Sequence, residues 1–189
     1  SAPCFLCKEN KALIGILYLA LFLTGGWWMA RCMLPRLRPA VRGYIGLSLG
    51  VLLMMWLPVL WAYGVRFSLT AHWLALGTLA LLCGAAWLAM DPARPARGEG
   101  RGELIRLCVM VVPLALLAAY LQYTHTIRLA ADGSYHVGQS TYGDLSLHLA
   151  VCTSAVNAAF PLENSLMLGA TMAYPYLSDT FAASLYMMG

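Results

Sequence analysis

Four long stretches without a charged residue decide what this chain can fold into. They run 12–30, 43–65, 67–90 and 107–127, and each approaches or exceeds the roughly 20 mainly apolar residues a helix needs to cross the hydrocarbon core of a bilayer. In that core every backbone N–H and C=O must be satisfied internally, so a spanning segment is a helix or part of a closed barrel. Leu, Ala and Met dominate the four stretches and period-2 alternation is absent, which selects helices. Composition agrees: 61% of residues are hydrophobic, 11% are charged and mean hydropathy is +0.70. A soluble domain carries about a quarter charged residues to wet its surface. The expected fold class is an all-α integral membrane protein. An N-terminal outer segment covers 1–11 and four transmembrane helices occupy 12–128. An outer loop at 129–189 follows, with amphipathic helices and the start of a further helix.

Lys and Arg in short loops set orientation, because the cytoplasmic side holds the excess. Arg31, Arg36, Arg38 and Arg42 follow the first stretch; Arg94, Arg97, Arg101 and Arg106 follow the third. The opposite side offers only Lys8, Lys11, Arg66 and Arg128. Both Arg-rich loops are therefore expected in the cytoplasm, with the N-terminus and everything after Thr126 outside. Only Arg66 separates the second and third stretches, which predicts a tight helical hairpin. Gly46 and Gly50 form a small-xxx-small pair that lets a neighbouring helix approach. Pro58 and Pro113 are expected to kink their helices. The six Trp residues sit mostly near span ends, as an aromatic belt does.

The net charge of +4 is confined to these loops and is not interleaved with aromatics, so no nucleic-acid partner is expected. Cys32, Cys83 and Cys108 lie in or beside apolar runs and read as small buried thiols. Cys4 and Cys7 form a C-x-x-C that no second pair completes into a zinc set. The start runs through Lys8 and Lys11 into a full-length span, so no cleavable signal peptide is expected. Residues 91–102, rich in Pro, Gly and Arg, read as a flexible linker.

After Leu129 the chemistry changes. Asp132, Asp144, Glu163 and Asp179 appear with His136, His148, Asn157 and Asn164. Residues 131–143 read as loop. Residues 145–159 read as a helix started by Thr141 or Asp144 and ended by Pro161. A second helix is expected from near Pro175 to Gly189. Because it stops after few turns, the chain is expected to be part of a longer protein and inactive alone. Asp144 and His148 are four residues apart and would share one helix face. Such a pair can orient a proton, abstract one from a hydroxyl, or share a divalent cation. The plainer alternative makes Asp144 a helix cap and His148 a packing residue. Glu163 and Asn164 have the alternative of a turn, Ser178 and Asp179 of a cap, and Tyr174 and Tyr176 of an interfacial turn. His72, His125 and His136 are isolated and read as structural.

The strings HVGQSTYGDLSLHLA, FPLENSLMLGA and YPYLSD, within residues 135–189, resemble the first outer loop of GT-C membrane glycosyltransferases. The likeness is to the dolichyl-phosphate-mannose protein mannosyltransferases and to a bacterial branch among them. That resemblance implies a polyprenyl-phosphate-linked sugar donor, an acceptor at the outer face of a bacterial plasma membrane, and an acidic catalytic residue in this loop. Asp144 falls at the acidic position and His148 accompanies it, alone or with a divalent cation. Glu163, Asn164, Tyr174, Tyr176 and Asp179 would then contact donor or acceptor. Two other classes are a transporter or channel subunit and a non-catalytic scaffold. The absence of Asp, Glu, Lys and Arg inside the spans speaks against transport, and the cluster of acid and His against a scaffold.

Overall fold

The computed structural model describes residues 5–90, 100–125, 127–137, 142–164, 167 and 169–189. Thr141, most of the 91–102 linker and the Cys4–Cys7 thiol pair fall outside what is described. The element order is α1 (Phe5–Met33), α2 (Pro39–Val65), α3 (Leu69–Leu88), α4 (Arg101–His125), β1 (Ile127–Leu129), β2 (Tyr135–Val137), α5 (Tyr142–Ala155) and α6 (Leu177–Met188). Segments Leu13–Met33, Pro39–Val65, Leu69–Leu88 and Arg101–Leu121 are long and apolar enough to cross a membrane. Each overlaps one of the four uncharged stretches, with its ends displaced by up to six residues in either direction, because a helix does not stop where the apolar run does.

The chain divides into two compact units, residues 1–97 with 150–189, and residues 98–149. In the first, α1, α2, α3 and α6 share a core of Tyr18, Phe22, Met54, Leu57, Ala75, Leu79 and Met188. The closest approach is between α1 and α2, and small residues create it. A Cβ on Gly50 would stand 2.5 Å from the Phe22 carbonyl oxygen and 2.8 Å from Leu23 Cα; one on Gly46 would stand 2.6 Å from Trp27 Cα. On the facing helix, a Cβ on Gly26 would overlap the backbone of Gly46 and Gly50. The expected pair is therefore completed by a third glycine on the partner helix. Pairing of α2 with α3 adds a hydrogen bond from Trp61 Nε1 to Thr78 Oγ1 at 2.9 Å. At the Arg-rich end Arg31 lies over the Trp27 ring at 5.5 Å.

In the second unit α4 leads into β1, which pairs antiparallel with β2 in the register Ile127↔Val137, Arg128↔His136 and Leu129↔Tyr135. This corrects the reading of 131–143 as loop: Tyr135–Val137 is a strand. Asp132, Gly133 and Ser134 close the turn, Gly133 taking φ 84°, a conformation that costs glycine little.

Four further expectations are corrected. Helix α5 starts at Tyr142 and ends at Ala155, well before Pro161, because Asn157 leaves helical geometry with φ 59°. Asp144 lies inside the first turn of α5, where a carboxylate favours the helix dipole, and is not its N-cap. Ser178 and Asp179 also lie inside their helix, whose N-cap is Tyr176 without a side-chain cap bond. Finally, Cys108 is exposed, as are almost all described side chains of α4, while Cys32 is buried.

Candidate functional site

Residues with chemistry gather at the end of the first unit where α2 finishes and α3 begins. The three residues between these helices hold Arg66 at φ 63° and ψ 161°, a region populated almost only by glycine and costing other residues about 1–3 kcal/mol. Its neighbour supplies the restraint. The Phe67 N–H donates to the Ala158 carbonyl at 2.8 Å, and the Asn157 N–H donates to the Phe67 carbonyl at 2.9 Å. The chain after α5 is thus laced to the α2–α3 turn, with two unusual backbone conformations, at Arg66 and Asn157, on the two sides of the lace.

From this lace an aromatic series runs into the bundle. Tyr176 meets Phe160 at 5.8 Å between centroids, Phe160 meets Phe67 at 5.6 Å, and Phe67 meets His72 edge-on at 4.8 Å. His72 in turn meets Tyr18 at 5.7 Å, and Tyr18 meets Phe22 at 5.0 Å. Each tilted or edge contact adds to simple area burial. Tyr176 also hydrogen-bonds Tyr63, and burial first, then that bond, raises the Tyr176 hydroxyl above the ordinary phenol range.

His72 is fully buried and tied at both nitrogens. Nδ1 lies 2.7 Å from the Ser68 carbonyl oxygen, which only accepts, so Nδ1 carries the proton. Nε2 of the neutral ring therefore accepts the Ser184 hydroxyl hydrogen over 3.0 Å. That bond fastens α6 to α3. Beside it the Tyr18 hydroxyl is buried with no hydrogen-bond partner among the described residues. Thr180 and Ser184 line the buried face of α6 with Ala183 and Met188. His72 was read as a structural residue and its burial agrees, but spacing alone could not show the partner, which lies 112 positions away.

Asp144 and His148 belong to the second unit. A single helix carries both, four residues apart, so they share a face as expected. Asp144 is exposed and His148 half-buried. The remaining candidates lie in the first unit. Glu163 is exposed and bridges Thr171 through the backbone. The Asn164 Oδ1 accepts the Met167 N–H at 3.3 Å, and the Asn164 N–H donates to Ala170 at 2.8 Å. Asn164 thus performs the turn-forming role of the plainer reading. Tyr174 is 43% exposed, whereas Asp179 is 5% exposed in the first turn of α6. Cys152 approaches the Asp179 carbonyl at 3.3 Å, and burial, with the Asp179 charge behind it, pushes the Cys152 thiol up.

A hollow of about 380 Å³ opens beside the lace, lined by Arg66, Ser154, Ala158, Ala159, Pro161, Leu162, Glu163 and Asn164. In the second unit, Ser134 donates both its backbone N–H (3.0 Å) and its hydroxyl (2.6 Å) to Asp132 Oδ1. With that proton committed, His136 Nε2–H donates to Ser134 Oγ over 2.9 Å. The two Ser134 bonds hold the Asp132 carboxyl below its ordinary value. Among the described residues no three His, Cys, Asp or Glu side chains stand together as a metal-binding group. Comparison with known proteins adds no relative, for no family model, curated protein or solved structure matches the chain.

Proposed function

We propose that the chain is the N-terminal part of a GT-C membrane glycosyltransferase, which moves a sugar from a polyprenyl-phosphate carrier to an acceptor hydroxyl at the outer face of a bacterial plasma membrane. The observation that carries the reading is the presentation of Asp144 and His148 on one face of α5, with Asp144 open to solvent. The likeness of residues 135–189 to the outer loop of that superfamily supports it. So do the four helices able to span a bilayer. In this reading both Arg-rich loops are cytoplasmic.

The chemistry asked of Asp144 is modest. An acceptor hydroxyl attacks the anomeric carbon, the bond to the lipid phosphate breaks, and the hydroxyl proton passes to the Asp144 carboxylate. His148 steadies the acceptor; were a divalent cation used, Asp144 and His148 would hold it and it would supply positive charge to the leaving phosphate. Glu163, Asn164, Tyr174 and Tyr176 belong to the segment assigned to substrate contact. Asp179, at 5% exposure, belongs to the same segment. The test is transfer of label from a radiolabelled polyprenyl-phosphate sugar in membranes expressing the whole gene. Label in an acceptor, absent from membranes of a deletion strain, is the expected result; identical labelling in both would refute the reading.

A transporter remains the second reading because of one observation, the buried Tyr18–His72–Ser184 group inside the first, second and third spanning helices and α6. Ionisable groups buried among spanning helices commonly mark transport paths. Substrate-dependent proton uptake into vesicles containing the protein would favour it over transfer.

A further inference from the structure

The geometry points to the hollow beside the α2–α3 turn as a binding site for the headgroup of a zwitterionic phospholipid, a phosphoethanolamine. The argument begins with charge. Arg66 and Glu163 line the same hollow of about 380 Å³, yet among the described residues neither forms an ion pair or a side-chain hydrogen bond. A cation and an anion lining a single space, without a partner among the described residues, suit a ligand carrying both opposite charges. A guanidinium binds phosphate through a fork of N–H donors, and a carboxylate accepts from a primary ammonium. The remaining wall is neutral. Ser154 spends its hydroxyl hydrogen on the Val151 carbonyl at 3.0 Å and so offers only lone pairs, and the fully buried Leu162 gives an apolar base.

Position selects a lipid rather than a soluble ester. Val65 ends one helix able to cross a bilayer and Leu69 starts the next, so Arg66 stands where the hydrocarbon gives way to headgroups. Tyr63, 57% exposed one turn before, brings an amphipathic ring suited to that boundary. Backbone conformation adds a further reason to read Arg66 as functional. A glycine would sit at φ 63° without strain, and an arginine is there instead, held by the Phe67 lace. The assignment is independent of the transfer reading, since it needs only that this end of α2 and α3 meets a bilayer surface. In this assignment Glu163 meets the lipid ammonium rather than the sugar donor or acceptor.

The full-length protein would be reconstituted into phosphatidylcholine vesicles carrying a minority of phosphatidylethanolamine or of phosphatidylglycerol, re-extracted in mild detergent, and its retained lipid identified by mass spectrometry. Wild type should retain phosphatidylethanolamine over both other lipids. Arg66→Gly relieves the backbone strain, so the protein should melt no lower than wild type while losing about tenfold or more of that retention, the scale of one charge-assisted contact. Glu163→Gln should abolish the preference for phosphatidylethanolamine over phosphatidylglycerol while leaving phosphate binding. Soluble glycerophosphoethanolamine should compete only at far higher concentration than the lipid, and equal potency would overturn the bilayer as the source. Equal retention of all three lipids by wild type, or unchanged retention in both variants, would overturn the site itself.

Discussion

Substituting alanine for Gly26 tests the packing of the bundle with a sign that intuition gets wrong. In a helix interior alanine is favoured over glycine by about 0.8–1.0 kcal/mol, so a glycine-to-alanine change with room to spare stabilises. Gly77 in α3 is such a position, with nothing within 4 Å of an added Cβ. At Gly26 the new methyl overlaps the Gly46 carbonyl oxygen and the Gly50 nitrogen, and reaches Gly50 Cα at 2.7 Å. At Gly50 it stands 2.5 Å from the Phe22 carbonyl oxygen, about 0.9 Å inside the 3.4 Å where ordinary contact begins. Every one of these neighbours is backbone, so no side chain can swing aside and the helices must separate. Overpacking of this kind costs about 1–3 kcal/mol, and the separation also weakens contacts along the rest of the seam. With backbone on every side of the new methyl, the cost lies towards the upper end of that range and exceeds the propensity gain. Thermal unfolding of the purified protein in detergent, followed by tryptophan fluorescence, should show Gly26→Ala and Gly50→Ala melting several degrees below wild type, at about 2–4 °C per kcal/mol for a chain of this size. Gly77→Ala should melt level or slightly higher. A Gly26→Ala protein at least as stable as wild type would refute the close approach of α1 to α2.

Removal of the Ser184 hydroxyl in Ser184→Ala strands the buried His72 Nε2 and should cost about 1–3 kcal/mol in the same assay, with His72→Leu/Ser184→Ala recovering part of it because both partners are then gone; an undiminished melting temperature for the single variant would count against the α3–α6 tie. In the hairpin turn, the Asp132 carboxyl is held low by Ser134, so its stabilising bonds persist above its ordinary value and are lost as pH falls through the lowered one. The Ser134 amide resonance should therefore move with a midpoint below the ordinary carboxylate value, and a midpoint at or above it would contradict the bonds. For topology, in a background lacking native cysteines, a Cys at Gly100 should resist an impermeant thiol reagent in intact cells and one at Gly133 should react; the reverse pattern would overturn the proposed orientation.

How much of this was legible depended on how local the cause was. The four long helices could be read directly, because an uncharged apolar run of about 20 residues has the length and composition of a helix able to cross a bilayer. Gly46 and Gly50 were visible as a spaced pair, but Gly26 was not, since nothing in a sequence states which helix faces which. Helix α5 was misplaced by a few residues at each end. Its stop is set by pairing of Asn157 and Ala158 with Phe67, some 90 residues away in sequence, and Pro161 was credited with a termination that belongs to that lace. The strands of the hairpin are three residues each, too short for an alternation to register. In the sequence Arg66 carries only a topology signal and the break of a helical hairpin. Its backbone angle and its place beside Glu163 exist only in the folded chain. Asp144 and His148 were legible because a helix spacing of four is a local fact.

The most direct measurement is the turnover of the whole gene product carrying Asp144→Asn, in the labelled polyprenyl-phosphate sugar assay. Asparagine keeps the size of the side chain and removes its charge. Because Asp144 is exposed on α5, the variant should express and melt like wild type. General-base assistance is worth about a hundredfold to ten-thousandfold in rate, so kcat should fall on that scale with little change in KM for the donor. Turnover within about twofold of wild type, far short of the general-base scale, would remove Asp144 from the chemistry and contradict the transfer mechanism proposed for this chain.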